Sequence, residues 1–170
     1  MADLVTHVCA VLLPGVLVRS RALGLVAVGT VLPDALGRAV PMALEIAQDN
    51  GVGIPDPVIW SFGAFHSPAG LLLASASLSQ SFVKGQRTEA FIALTIGAAV
   101  HVLIDLLQYH HGRGYPLLAP FSWETYEIGV IGSEVTVDLA LPLLAVTAAL
   151  WAIRLGIRFW RQRNRSESTS

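Results

Sequence analysis

A chain of 170 residues that is 54% hydrophobic and only 14% charged, with a mean hydropathy of +0.61, falls outside the usual range of a soluble globule of this size and points to an integral membrane protein. The formal net charge of −1 carries little information, because five of the eleven basic residues (Arg154, Arg158, Arg161, Arg163 and Arg165) crowd the C-terminal end, where they read as a topological anchor and not as a nucleic-acid site. The single cysteine, Cys9, excludes an intramolecular disulfide and a Cys-rich zinc site.

In chain order, five apolar segments can be marked, at Leu4–Val18, Ala22–Leu32, Pro68–Val83, Ala90–Leu107 and Val135–Ile153. Basic residues follow the first segment instead of preceding it, so it reads as a retained segment and not as a cleavable signal peptide. Only the last two approach the ~20 residues that cross a bilayer unaided. The first two would need extension, tilt or local thinning, or could form a re-entrant pair joined at Arg19-Ser-Arg21. The polar stretch Asp34–Ser67 holds a short predicted helix, Ala39–Gln48, stopped at Asp49-Asn50-Gly51, and then a Gly-Ile-Pro-Asp-Pro turn. In His66-Ser67-Pro68, Ser67 reads as an N-cap and Pro68 as the first residue of the next helix. A second long connection, Gln108–Glu134, is rich in Gly, Pro and aromatic residues. Residues 1–157 are expected to form one membrane domain, and 158–170 a basic, disordered cytoplasmic tail. The fold class is therefore all-α, a multi-pass bundle of about four or five transmembrane or re-entrant helices.

Lys and Arg in the short connections fall at Arg19 and Arg21, at Lys84 and Arg87, and in the tail. If every segment crosses, these lie on one side, which the positive-inside rule makes cytoplasmic, with the N-terminus outside and the C-terminus inside. The long connections then face outwards, carrying Trp60, Phe62, Phe65, Tyr115, Phe121, Trp123 and Tyr126, a composition suited to a membrane interface.

Inside the run Ala90–Leu107, His101 and Asp105 lie four residues apart, on one helical face, where lipid should exclude both. His7, Asp34, His66, His101, Asp105, Glu134 and Asp138 are predicted to reach one depth, at or near the outer ends of their segments, the first five being the leading ligand candidates. Each has a plainer reading: His7 and His66 as interfacial histidines, Asp34 as a helix N-cap after Pro33, His101 and Asp105 as a mutually satisfied buried pair. A divalent metal accounts for all five together. Imidazoles and carboxylates without thiolates suit zinc first and manganese next, with the number of ions open and Asp105 a possible bridge. His110, His111, Glu134 and Asp138 are second-tier candidates for ligands or a proton shuttle, and Arg113 and Arg38 for holding a phosphate or carboxylate of a substrate.

The order Thr6-His7, Gly29-Thr-Val-Leu-Pro33-Asp34, His66-Ser67, His101-Val-Leu-Ile-Asp105 and Pro120-Phe121-Ser122-Trp123 resembles the YdjM-like family of inner-membrane, metal-dependent hydrolases, over about residues 5–140. The resemblance implies that His7, Asp34, His66, His101 and Asp105 are metal ligands. A fainter likeness, in the order His, Asp, His, His-x-x-x-Asp, links the layout to zinc-dependent phospholipase C and P1-type nucleases. The expected function is hydrolysis of an ester or phosphoester, of a lipid or envelope component, by a metal-activated water at the extracytoplasmic face. The partners expected are the lipid bilayer and a lipid or small-molecule ester, with no nucleic acid. The alternative is a non-catalytic membrane protein whose His/Asp cluster binds or conducts metal ions or protons.

Overall fold

The computed structural model describes residues 4–18, 21–109 and 114–167. Six helical runs account for most of it. They are α1 (Leu4–Gly15), α2 (Leu23–Asp49), α3 (Asp56–His66), α4 (Pro68–Ser79), α5 (Arg87–Leu107) and α6 (Ser133–Glu167). The all-α class expected from the sequence is observed. The strand content is one short parallel pair, β1 (Gln108–Tyr109) with β2 (Ile131–Gly132).

The largest departure from expectation is α2. The second apolar segment does not stop at Leu32 but runs on through Pro33 and the supposed polar connection to Asp49. Two local features permit this. Pro33 stands within the first turn of the helical stretch that restarts at Leu32, where a missing N–H costs little. Asp34 and Arg38, four residues apart, then neutralise one another across a π-helical turn, Ala35–Ala39. The run ends where expected: Gly51, at φ +90°, takes the left-handed conformation after Asn50, and Gly51 N and Val52 N donate to the carbonyls of Gln48 and Ala47. The cap at the start of α4 is also as expected. Ser67 Oγ accepts from Gly70 N at 3.2 Å, and Pro68 opens the helix.

The C-terminal stretch differs as well. Helix α6 continues through Glu167, so 158–167 is helical and not an irregular tail.

α5 is the central element. Leu71 of α4 packs with Ala98 and Val102 of α5, and Leu106 and Leu117 close over them. On another face α5 meets α2 at backbone contact, because a Cβ on Gly29 would stand 2.3 Å from the Leu94 carbonyl oxygen and one on Gly97 2.0 Å from that of Val26. Small residues that let backbones touch are the usual device for packing apolar helices without a hydrophobic driving force between them. α1 is tied to α6 by Thr6 Oγ1 donating to the Thr136 carbonyl at 2.9 Å and Trp151 Nε1 donating to that of Leu12 at 3.0 Å. Arg154 adds bonds to the carbonyls of Gly15, Val16 and Val18, satisfying acceptors beyond the end of α1.

Most large apolar side chains point outward, among them Leu72, Leu73, Ile92, Ile96, Leu141 and Phe159. Three described runs, Leu23–Asp49, Lys84–Leu107 and Glu134–Asn164, are long and apolar enough to cross a membrane. α3 and α4 meet at 89° and together would make a fourth, as a broken span or a re-entrant loop. The joint Arg19-Ser-Arg21 expected between the first two segments lies partly outside the described residues.

Candidate metal centre

Each ligand-type side chain reaches the interior through a specific piece of local structure. His7 sits in the first two turns of α1. Asp34 lies just before the π turn of α2, one turn past the Gly29–Gly97 crossing, and so opposite His101 on α5. His66 is the last residue of α3, fixed by the Ser67 cap that starts α4. His101 and Asp105 occupy successive turns of α5, on the same face.

One ligand atom from each of Asp34, His66, His101 and Asp105 lies within 4.8 Å of all the others, a grouping that could hold a metal ion. His101 Nε2 is 3.2 Å from Asp105 Oδ2 and 3.6 Å from Asp34 Oδ1, and His66 Nε2 is 3.4 Å from Asp34 Oδ1 and 4.0 Å from Asp105 Oδ2. His7 approaches from the other side, its Nε2 3.1 Å from Asp105 Oδ1 and its ring stacked on that of His101 with centroids 4.1 Å apart. Asp105 therefore turns one oxygen to His7 and the other to the four-residue group.

The donor set fits a divalent cation. Asp34 Oδ1, His66 Nε2, both ring nitrogens of His101 and both oxygens of Asp105 are buried without a hydrogen bond. Buried polar atoms are ordinarily satisfied, and leaving several in one place is costly. A cation would take four of these atoms at once.

Gly37 and Tyr115 complete the surroundings. A Cβ on Gly37 would stand 2.5 Å from His66 Nδ1, so only glycine allows the ring to lie against the π turn. Tyr115 stacks on His66 with centroids 5.0 Å apart, and its hydroxyl accepts a hydrogen bond from Arg38 Nη2. It is brought there by an antiparallel bridge with Tyr126, N to O at 2.9 Å in both directions, within an excursion that also bonds Ile128 N to the Leu106 carbonyl. Burial, reinforced by the charge of Asp105, pushes the Tyr115 hydroxyl above its ordinary pKa and keeps it protonated. Arg38 Nε lies 3.0 Å from Asp34 Oδ1 and Nη2 3.8 Å from Asp105 Oδ2.

The structure thus brings together His7, Asp34, His66, His101 and Asp105, with Arg38 beside them. Asp34 is not at the end of its segment, since α2 continues past it, and it serves as no N-cap. Glu134 and Asp138 are exposed at the start of α6 and do not join the group. His110, His111 and Arg113 lie outside the described residues. Tyr115, read from sequence only as an interfacial aromatic, and Gly37 were not legible as site residues, because each acts through a contact distant in sequence.

At the other end of the bundle, Arg21, Arg154 and Arg158 line one cavity of about 600 Å³, and Arg21 also borders a second with Phe82, Gln86 and Glu89. Arg21, after the first segment, and Arg154 and Arg158, towards the C-terminal end, therefore come together away from the His/Asp group. No protein family, curated protein or solved structure matches this chain.

Proposed function

We propose that this chain is a multi-pass membrane protein with a metal-dependent hydrolase site, zinc being the first choice of ion and manganese the second. The observation that carries this reading is the convergence on one point of a ligand atom each from Asp34, His66, His101 and Asp105, with His7 against the second oxygen of Asp105, so that three helices and the end of α3 all contribute. A structural ion pair would need neither three imidazoles nor two carboxylates in one place. The resemblance of the same residues to the YdjM-like motifs supports the same assignment.

Bound there, a divalent cation would polarise an ester or phosphoester and acidify a water molecule. Asp34, His66, His101 and Asp105 would hold it, and His7 would fix the orientation of Asp105 through its second oxygen. The basic cluster at the far end supports an orientation with the site towards the extracytoplasmic face of an inner membrane, N-terminus outside and C-terminus inside. The exposed aromatics of the two long connections, Trp60 and Phe121, at 76% and 94% of their full exposure, suit headgroup depth, where a lipid or envelope substrate could enter from the side.

Conduction of ions or protons is less well supported. Towards the basic end the buried polar side chains of the described residues are hydroxyls, Ser75, Ser79, Thr30 and Thr147, and not the chain of ionisable groups a pathway needs. The test is turnover of chromogenic phosphomonoesters, phosphodiesters and carboxylic esters by zinc- or manganese-loaded protein in detergent. Hydrolysis that falls to background in Asp105→Asn supports the proposal. Metal-loaded protein that turns over none of the three classes contradicts it.

A further inference from the structure

Arg38 is a cation placed beside a site built for a cation. Its guanidinium lies 3.0 Å from Asp34 and 3.8 Å from Asp105, yet it belongs to neither the four-residue group nor the solvent, its side chain being 27% exposed. From the sequence, Arg38 is a candidate for holding a phosphate or carboxylate of a substrate, placed in a loop and without these carboxylate neighbours. Within the π turn it is instead held rigidly, with Nη2 donating to the Tyr115 hydroxyl, the guanidinium carbon 5.8 Å from the centre of the Tyr115 ring, and Tyr115 itself fixed against His66 and Tyr126. Nε and Nη2 are engaged; Nη1 has no partner among the described residues.

Charge decides what this arrangement is for. Neutral histidines, as ligands must be, two carboxylates, one guanidinium and one divalent ion leave a net positive charge in an apolar bundle. If Arg38 served only to balance the carboxylates, it would compete with the metal for the same charge. An anionic ligand resolves this, one oxygen towards the ion and another towards the free edge of the guanidinium, the fork geometry that Arg offers to oxyanions.

Resting on the hydrolase reading, we infer that Arg38, positioned by Tyr115, is the anion-binding residue of the site and that the substrate presents a phosphoryl group there, as a phosphoester and not as a neutral carboxylic ester. A phosphoester carries its negative charge on the group to be cleaved, so one contact both binds and orients it. A neutral ester would leave the loaded site positively charged.

The experiment is calorimetric titration of zinc-loaded, detergent-solubilised protein with inorganic phosphate, with acetate and with phosphatidic acid in mixed micelles, alongside measurement of zinc content. Wild-type protein should bind phosphate, phosphatidic acid or both more tightly than acetate; preference for the phosphatidic acid identifies a lipid headgroup, and preference for inorganic phosphate a soluble phosphoryl group. Arg38→Gln should lower that affinity about tenfold or more while zinc content stays equal or rises, since a neighbouring positive charge has been removed. Arg38→Lys, which keeps the charge but not the fork, should fall between the two and guards against loss of fold. Acetate binding as tightly as phosphate, or Arg38→Gln binding phosphate as wild type does, overturns the inference. Wild-type protein that holds zinc but binds no phosphoryl ligand overturns it too and leaves the metal centre standing, whereas protein that holds no metal overturns both.

Discussion

His7 and Asp105, brought together from the first helix and the fifth, meet at 3.1 Å between Nε2 and Oδ1, both side chains fully buried. Because the other oxygen of Asp105 faces His101, His66 and Asp34, His7 would act on an ion held there through Asp105. Second-layer partners of this kind typically alter metal affinity by about 10–100-fold. His7→Ala is therefore expected to weaken zinc binding within that range with the number of ions per chain unchanged, as read by competition with a chromophoric chelator. A loss of one ion per chain would make His7 a ligand of a separate ion, with Asp105 as the bridge.

Gly37 offers a test of geometry without replacing a ligand. A methyl group there would push into the edge of the His66 ring, a side chain able to swing away, so the strain falls on the site and not on the backbone. Gly37→Ala is expected to lower metal affinity about tenfold or more while the thermal midpoint of the metal-free protein stays close to wild type. Gly85→Ala, where a Cβ would meet nothing within 4 Å, should change neither. Equal metal affinity in Gly37→Ala and wild type would show that His66 need not lie against the π turn.

The orientation makes opposite predictions for the two ends of the bundle. In a Cys9-free background, Trp123→Cys near the His/Asp group should react with an impermeant thiol reagent added to intact cells, and Lys84→Cys at the basic end only after permeabilisation. Labelling of Lys84→Cys in intact cells would invert the topology.

Local pattern made part of this structure legible. His101 and Asp105 share a face because a helix places residues four apart on one side, and an apolar run leaves little alternative to a helix there. The Ser67-Pro68 start of α4 and the Gly51 stop of α2 follow from capping chemistry that a few residues carry by themselves. The course of α2 was not legible. Asp34 after Pro33 read as the cap of a new helix, and the expected helix began only at Ala39; the ion pair across the π turn and the fit of His66 against Gly37 are contacts that no single residue announces. Tyr115 was hidden for the same reason: its place beside His66 and Arg38 comes from the pairing with Tyr126 and the fold of the excursion over the end of α5, neither of which leaves a mark on neighbouring residues.

The most direct test of the metal centre is the metal content of detergent-purified protein, measured by mass spectrometry for wild type, His101→Ala and Asp105→Ala at equal folded yield after supply of zinc or manganese. The account predicts about one or more divalent ions per chain in the wild type, lost in both variants, because each removes one of the atoms that converge on the site. Wild-type protein that holds no divalent ion under these conditions would contradict it and leave the cluster as a buried network of histidine and aspartate.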